Sequence, residues 1–305
     1  MTKRALLFPG QGAQKLGMAK DIYDELESGR AFLDQLNAAL NFDVLELMFN
    51  DEAQLGLTQY TQPAIVSHST AVLNELTIDY DYTVGHSLGE YAALVASGVL
   101  TAEDAVKIVA KRGELMATAF PKGTGSMAAV LGLTVEEVTA ICEQLSTPEL
   151  KVEPANLNCP GQIVVSGHQE KIDAFVRDGK SLGAKRVLPL NVSGPFHSSM
   201  MECIAEEFQA FLETFTFNDA VVPVVQNTTA RPVTDKDEIK QQLIKQLYSP
   251  VRFEESIRYL IEQGVTEFVE VGPNKVLSGL IKKIDRNVTL TALGTVEEIK
   301  GWNAQ

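Results

Sequence analysis

The sequence has 305 residues, of which 45% are hydrophobic and 22% are charged, and its formal net charge is -14 at pH 7. This composition predicts a folded globular protein with room for a full hydrophobic core, and the acidic charge argues against nucleic acid as a partner. The three cysteines form no Cys-x-x-Cys pair, which argues against a disulfide framework or a zinc site and favours a reducing cytoplasm.

The first predicted element is a buried strand over Lys3–Phe8, followed by a loop over residues 9–14. The apolar run is too short for a signal peptide, and no stretch approaches the roughly 20 apolar residues that span a membrane. The glycines of the loop do not fit Gly-x-Gly-x-x-Gly, which excludes a dinucleotide fingerprint. The loop either brings its backbone and the Gln11 amide close to a ligand or is a plain strand-to-helix turn, and both interpretations stay open.

Helical sequence follows over residues 19–50 and again from Thr61 to Leu76. Pro63 is then expected in the first turn of the second helix, where a proline is well tolerated. His68 lies within this amphipathic run, which favours a packed helix residue over a catalytic one.

A Gly-x-Ser-x-Gly pattern spans residues 85–89, after a β-prone run and before a helix-prone one. In that context the pattern predicts a sharp strand-to-helix turn that exposes Ser87 as a nucleophile at the start of a helix. Glycines two before and two after the serine leave room for the turn. The alternative is an ordinary turn that happens to contain two glycines.

The next helix is predicted to start after Thr101, whose side chain is the expected N-cap. Its apolar residues recur with a 3.6-residue period as far as Met116, and Arg112 falls on the same stripe. A buried guanidinium needs an anionic partner. That partner is either a buried carboxylate of the protein or a carboxylate of the substrate, and the pattern does not decide between them.

Residues 123–191 read as strand, helix, strand, strand, helix and strand. This βαββαβ order is the ferredoxin-like arrangement. It predicts a self-contained subdomain inserted into a larger α/β domain that comprises residues 1–122 and 192–305. Thr134 and Glu137 form the expected capping box of its first helix.

After the insert, His197 stands in a loop between a strand and a helix, where the chain re-enters the larger domain. A histidine in this place is a candidate general base. The remaining elements are predicted strands over residues 221–226, 266–271 and 289–293 and predicted helices over residues 235–247 and 253–263.

Six motifs occur along the chain in this order: Pro9-Gly10-Gln11-Gly12, Gly85-His86-Ser87-Leu88-Gly89-Glu90, Arg112, Phe196-His197-Ser198, Gln246-Leu247-Tyr248-Ser249-Pro250-Val251 and Glu270-Val271-Gly272-Pro273. Their combination resembles the malonyl-CoA:acyl carrier protein transacylases of bacterial type II fatty acid synthesis, and also the acyltransferase domains of polyketide synthases. The resemblance runs from Arg4 to about Leu293. It implies an α/β hydrolase-like core with a mainly parallel sheet and a ferredoxin-like insert, in agreement with the predicted elements.

The resemblance implies a catalytic role for several of these residues. Ser87 would attack the malonyl thioester, and His197 would accept its proton and later activate the thiol of the carrier protein. The backbone N–H groups of Gln11 and Leu88 would form the oxyanion hole. The main-chain carbonyl of Gln246 would orient the imidazole, so the implied catalytic pair is a Ser-His dyad without an acidic third member.

The resemblance also implies how the acyl group is chosen. Arg112 would bind the malonyl carboxylate with both arms of its guanidinium. Phe196, directly before the histidine, is associated in the family with malonyl rather than methylmalonyl, with simple packing as the alternative. No metal or other cofactor is implied, because malonyl-CoA is a substrate and the partner carries its own phosphopantetheine.

The implied partner is an acyl carrier protein, and the implied enzyme is a cytoplasmic monomer with no membrane or nucleic-acid partner. Carrier proteins are acidic, so a chain of charge -14 has to offer them a local basic patch. The candidates are Lys185-Arg186 and Lys282-Lys283 with Arg286, and each is alternatively a solvated face.

Two other functions remain open. A hydrolase with the same elbow would be expected to place Ser, then Asp or Glu, then His near the C-terminus, whereas no histidine follows His197. A non-catalytic scaffold that keeps the fold would have no need of Ser87, Arg112 and His197 together.

Overall fold

The computed structural model describes residues 2–305, which form a mixed α/β structure with two β-sheets. The strands are β1 (Lys3–Phe8), β2 (Tyr82–Gly85), β3 (Gly125–Leu131), β4 (Val152–Cys159), β5 (Gln162–His168), β6 (Arg186–Pro189), β7 (Val224–Val225), β8 (Pro232–Val233), β9 (Val265–Val271) and β10 (Thr289–Leu293). The helices are α1 (Lys20–Glu25), α2 (Glu27–Ala38), α3 (Val44–Asn50), α4 (Glu52–Leu55), α5 (Thr58–Glu75), α6 (Gly89–Ala96), α7 (Ala102–Thr118), α8 (Val135–Leu145), α9 (Gln169–Asp178), α10 (Ala205–Leu212), α11 (Lys236–Gln246), α12 (Phe253–Glu262), α13 (Val276–Ile284) and α14 (Val296–Asn303), with a 3-10 helix at Ser199–Ile204.

The larger sheet has the strand order β10-β9-β1-β2-β7-β8. It is parallel from β10 to β7, and β8 runs antiparallel to β7 at one edge. In the register of β1 and β2, Phe8 lies opposite Gly85, so both strands end at the same level. The loop after β1 and the turn after β2 therefore meet at the carboxyl edge of the sheet, where α/β proteins place their ligands.

Both faces of this sheet are covered, as β1 illustrates. Successive side chains of a strand point to opposite faces. Leu6 and Phe8 pack into one buried cluster with residues of α5, α6 and α7, while Ala5 and Leu7 pack into another with residues of α12 and α13. The central strands are apolar on both sides because helices cover both sides.

Helix α5 begins at Thr58, earlier than the sequence predicted, so the expectation that Pro63 lies in the first turn is wrong. The residue before the helix, Leu57, is extended, and its side chain forms no capping hydrogen bond. The start of α5 therefore carries no capping signal that the sequence could reveal. Pro63 lies inside the helix, which packs along α7.

The smaller sheet is antiparallel with the order β4-β5-β3-β6, and α8 and α9 pack against it. The chain order β3-α8-β4-β5-α9-β6 is the predicted βαββαβ arrangement. The capping box of Thr134 and Glu137 is present at the start of α8. The predicted fold class, α/β with a mainly parallel core sheet and an inserted ferredoxin-like unit, is confirmed.

Strand β4 of the insert forms backbone hydrogen bonds with the segment between α11 and α12. The Leu157 N–H donates to the Val251 carbonyl at 2.9 Å, and the Val251 N–H donates to the Ala155 carbonyl at 2.8 Å. All strands of the smaller sheet lie within the predicted insert. The domain boundaries themselves, residues 1–122 and 192–305 against 123–191, stay predictions.

Candidate active site

The turn between β2 and α6 holds Ser87 in a left-handed conformation, with φ of 54°. A Cβ atom on Gly85 would lie 2.0 Å from the backbone carbon of Gly89, and one on Gly89 would lie 2.1 Å from the carbonyl oxygen of Phe8. Both glycines are therefore required by close backbone approach, as the sequence pattern predicts. The strained serine is presented at the beginning of α6, the arrangement of a nucleophile elbow.

Two hydrogen bonds connect the serine to a histidine and the histidine to the backbone. Ser87 Oγ lies 2.7 Å from His197 Nε2, and His197 Nδ1 lies 2.7 Å from the carbonyl oxygen of Gln246. Because a carbonyl oxygen only accepts, Nδ1 carries the proton and Nε2 presents its lone pair to the serine. This is the tautomer that a general base needs.

The environment of His197 keeps the imidazole neutral. The side chain is 4% exposed. Burial, and after it the positive charge of Arg112, lowers the pKa of His197 to about 3. A neutral imidazole can accept the serine proton throughout the neutral pH range.

Arg112 lies on the buried stripe of α7, as its helical position predicts, and is 0% exposed. Its Nη1 donates to Gln62 Oε1 at 2.8 Å, while its Nη2 donates to Gln246 Oε1 at 2.9 Å and to Ser87 Oγ at 3.1 Å. No carboxylate of residues 2–305 forms an ion pair with it. The sequence left two anionic partners open, a carboxylate of the protein or one of the substrate. Within residues 2–305, no protein carboxylate takes this place.

The side chain of Gln246 connects Arg112 to a buried carboxyl group. Its Oε1 accepts from Arg112, and its Nε2 donates to Glu90 Oε2 at 2.7 Å and to the Ser87 carbonyl oxygen at 3.0 Å. Glu90 is 1% exposed, and burial raises its pKa to about 7. The primary amide thus lies between a cation and an acid, with its oxygen facing the cation and its nitrogen facing the acid.

Sequence reasoning missed Glu90 because an acid in the first turn of a helix normally faces solvent and complements the helix dipole. The sequence did contain one sign that Glu90 is buried: the other residues of its short helix are nearly all apolar. A helix that is apolar all round is buried.

Asn227, just after β7, was also missed. Its Oδ1 accepts the Ser87 N–H at 2.8 Å, and its Nδ2 donates to the Gly85 carbonyl at 2.6 Å. The two bonds fix the backbone on both sides of His86. That histidine in turn places Nε2 2.8 Å from Asn158 Oδ1 on β4, which connects the elbow to the insert.

The two predicted oxyanion donors come from different segments, and Gln11 lines the same cavity as Ser87. Gln11 is in the loop after β1, and Leu88 is the residue after the nucleophile, at the N-terminus of α6. Within residues 2–305 neither backbone N–H donates to another group. Donors without a partner in this part of the protein are available to a ligand, and their role in an oxyanion hole stays a prediction.

A cavity of about 100 Å³ opens onto Ser87 and His197, between the two sheets. Phe196, which is 4% exposed, is part of its wall. The other lining residues are Gln11, Gln62, His86, Met116, Met127, Asn156, Leu190 and Val192. The small volume and the mixed polar and apolar lining suit a short acyl chain that carries a polar group.

Other sequence features lie outside this site. His68 is packed within α5, with Nε2 2.8 Å from the Gly294 carbonyl, so its expected structural role agrees with its position. Across residues 2–305, no three His, Cys, Asp or Glu side chains come together as possible metal ligands. No helix in the same range has the length and apolar character needed to cross a membrane.

The fold and this arrangement of serine, histidine and arginine define the class of α/β acyltransferases. The chain belongs to the acyl transferase domain family, whose model matches residues 5–297. The family resemblance carried by the six motifs is therefore confirmed, and the protein is an acyltransferase.

Similar proteins agree in sequence and structure. The malonyl CoA-acyl carrier protein transacylase of Staphylococcus aureus (strain MRSA252) is 58% identical over 305 residues, which cover 99% of each chain. That of Bacillus subtilis (strain 168) is 47% identical over 304 residues, or 98% of this chain and 96% of the relative. The solved structure of MCAT from Streptococcus pneumoniae has a TM-score of 0.92 at 42% identity, and a malonyl-transacylase solved in complex with its type II PKS acyl-carrier protein has one of 0.95 at 34%; each comparison covers 99% of both chains.

Proposed function

We propose that this acyltransferase moves the malonyl group of malonyl-CoA to the phosphopantetheine thiol of an acyl carrier protein, through an acyl-enzyme on Ser87, and so supplies fatty acid synthesis. One observation carries the proposal. Ser87 Oγ lies within hydrogen-bond distance of both His197 Nε2 (2.7 Å) and Arg112 Nη2 (3.1 Å). A nucleophile, a base and a receptor for a carboxylate therefore converge on one atom.

In the first half-reaction, Ser87 Oγ attacks the thioester carbonyl and passes its proton to His197 Nε2. The carbonyl oxygen becomes negative and accepts hydrogen bonds from the N–H groups of Gln11 and Leu88. The C–S bond then breaks, and the imidazolium returns its proton to the departing sulfur of CoA. The Gln246 carbonyl stabilises the imidazolium through the bond to Nδ1–H.

In the second half-reaction, the thiol of the carrier takes the place that CoA has left. His197 accepts the thiol proton, the sulfur attacks the ester carbonyl, and the C–O bond to Ser87 breaks with return of the proton to Oγ. A thioester is made at the expense of the seryl ester, and the free serine is restored. No metal or cofactor of the enzyme takes part in the proposed steps.

The choice of malonyl is proposed to rest on Arg112 and Phe196. The guanidinium contacts two neutral amide oxygens and the Ser87 hydroxyl in place of a protein carboxylate. A malonyl carboxylate that takes over some of these contacts beside Ser87 can form a two-pronged ion pair with Arg112. Phe196 narrows the same cavity and limits branching next to the thioester carbonyl.

The base is tested by His197→Ala, which we expect to slow both half-reactions by roughly two to four powers of ten, because one imidazole serves both thiols. Rapid-quench measurements of malonyl-enzyme formation and of malonyl transfer to carrier protein separate the two steps. The matched control is His168→Ala, because His168 lies at the end of β5 and is not part of the site. Loss confined to the carrier step would mean that another group accepts the serine proton.

Intact-protein mass spectrometry after mixing with malonyl-CoA separates the proposed transferase from its two rivals. A malonyl adduct on Ser87 that persists in buffer supports a transferase. Rapid release of free malonate would indicate a hydrolase, and the absence of any adduct would indicate a scaffold.

The carrier protein is proposed to dock near a basic cleft. Lys185, Arg186 and Lys283 line one cleft of about 570 Å³ together with Gly132 and Gly161. Two basic pairs that are distant in sequence thus contribute to one surface. Lys282 and Arg286, the remaining members of the predicted patches, are exposed on and just after the last turn of α13.

Charge reversal of the cleft by Lys185→Glu with Lys283→Glu is expected to lower the association rate with carrier protein about tenfold or more, because steering depends on local charge. Turnover with a small thiol such as free pantetheine should not change. Lys236→Glu, on the exposed start of α11, is the control for charge alone. Equal losses with both acceptors, or none with either, would exclude this cleft as the docking surface.

The enzyme is further proposed to act as a monomer in the cytoplasm, with CoA as the first product. All residues assigned to the two steps come from one chain, which supports a site that needs no second subunit. The cysteines Cys142, Cys159 and Cys203 are free thiols, which supports a reducing compartment.

A further inference from the structure

The hydroxyl group of Thr58 lies between two loops of the active site. Gln11 Nε2 donates to Thr58 Oγ1 at 3.2 Å, and Thr58 Oγ1 lies 2.9 Å from Ser193 Oγ. Thr58 is the first residue of α5 and is 4% exposed. An amide nitrogen only donates, so the threonine oxygen accepts from Gln11 and its own proton is free to point at Ser193.

The first of these loops, residues 9–14, carries the proposed oxyanion donor Gln11. At its beginning, the backbone of Gly10 packs so closely against that of His86 that a Cβ on Gly10 would lie 2.3 Å from the His86 carbonyl oxygen. Its end is fixed because Asn274 Nδ2 donates to the Ala13 carbonyl at 2.6 Å. Between these points Gly12 has φ of 104° and open space around it, and the side chain of Gln11 bonds to Thr58.

The second loop leads from the insert to the catalytic histidine. Ser193 is exposed and stands a few residues before Phe196 and His197. The backbone of Thr58 also lies close to α7, since a Cβ on Gly113 would lie 2.8 Å from the Thr58 carbonyl oxygen, and Gly113 directly follows Arg112. The segments that carry the oxyanion donor, the base and the arginine therefore meet at one threonine.

We propose that Thr58 is a positioning residue: its hydroxyl anchors the Gln11 side chain and thereby holds the Gln11 N–H where the thioester oxygen becomes negative. This inference rests on the proposed function. Loss of the Thr58–Gln11 hydrogen bond should therefore slow the chemical step, because the Gln11 N–H is needed most in the transition state. The inference also makes the effect independent of the acyl carboxylate, which Arg112 handles.

The test compares Thr58→Val with Thr58→Ser and with Thr70→Val. Valine has the shape of threonine but no hydroxyl, and serine keeps the hydroxyl. Thr70 is an equally buried threonine of α5 whose hydroxyl bonds to the Val66 carbonyl of the same helix at 2.7 Å, so its valine variant controls for the loss of a buried hydroxyl. Single-turnover formation of the acyl-enzyme is measured with malonyl-CoA and with acetyl-CoA.

We expect Thr58→Val to lower the maximal acylation rate about tenfold with both thioesters while the concentration for half-maximal rate stays unchanged. This is less than the roughly 100-fold or greater loss when an oxyanion donor is removed outright, since here the donor is displaced and not deleted. Thr58→Ser should restore most of the rate, and Thr70→Val should react at the wild-type rate.

Gln11→Ala provides a second variant if Thr58→Val does not fold, because it keeps the backbone N–H and removes only the anchor. It should show the same loss, and the double variant Gln11→Ala with Thr58→Val should lose no more than either alone. The inference would be overturned if Thr58→Val and Gln11→Ala formed the acyl-enzyme as fast as Thr70→Val. A loss of rate with malonyl-CoA but not with acetyl-CoA would also overturn it. The proposed function would still stand in that case, because wild-type formation of the malonyl-enzyme tests it separately.

Discussion

The Ser87→Ala variant is expected to form no acyl-enzyme and to lose malonyl transfer by roughly four to six powers of ten, since removal of a nucleophile leaves little beyond binding and the oxyanion hole. The fold should survive, because the change removes one oxygen whose hydrogen bonds go to His197 and Arg112. A transfer assay with carrier protein and a thermal melt of the same sample measure the two effects. Ser97 follows the last residue of α6, and its hydroxyl is hydrogen-bonded to that of Thr83. The control variant Ser97→Ala should transfer malonyl at the wild-type rate.

Malonyl transfer by Ser87→Ala at the wild-type level would contradict the mechanism. Loss of activity together with loss of the folded state would place the serine's importance in the fold and not in the chemistry.

The Arg112→Ala variant is expected to lose malonyl transfer by about two to four powers of ten, because breaking a buried ion pair with the substrate costs roughly 3–5 kcal/mol. Acetyl-CoA has no carboxylate, so its transfer should stay unchanged or rise, and the preference between the two thioesters should reverse. Steady-state kinetics with both substrates measures this. Lys111→Ala removes the neighbouring cation on the solvent side of α7, where it pairs with Glu207, and should alter neither activity.

The ratio of the two activities is the informative quantity. Removing Arg112 also leaves the oxygens of Gln62 and Gln246 without their donor, so a lower melting temperature is expected even if the arginine serves the substrate. Parallel loss of malonyl and acetyl transfer would show that Arg112 only maintains the structure.

Local patterns were sufficient for much of the fold. The glycines around Ser87 predicted the elbow because steric exclusion acts over a few residues and leaves its mark in sequence. The period of α7 placed Arg112 on a buried face, and the order of strands and helices predicted the insert. In contrast, the start of α5 lacks a capping side chain, and β7 is only Val224–Val225, so neither boundary was predictable from propensity.

The candidate site was predictable only in part from the residues themselves. The place of His197 in a loop made it a candidate base but did not establish that role, and its pairing with the Gln246 carbonyl came from family resemblance. Glu90, Asn227 and Thr58 escaped notice because their roles depend on contacts between segments that are far apart in the chain, such as Glu90 with Gln246. Contacts of this kind arise from tertiary packing and leave no period or spacing in the sequence.

A chase experiment on the isolated acyl-enzyme tests the central claim most directly. The protein is mixed with malonyl-CoA, freed of excess substrate and CoA, and then mixed with phosphopantetheine-bearing acyl carrier protein. Intact-protein mass spectrometry follows both proteins, and mass spectrometry of a digest locates the adduct. The account predicts a malonyl adduct that maps to the Ser87 peptide, persists in buffer, and moves to the carrier protein within the turnover time of the enzyme. An adduct on another residue, or one that disappears into water without reaching the carrier, would contradict it.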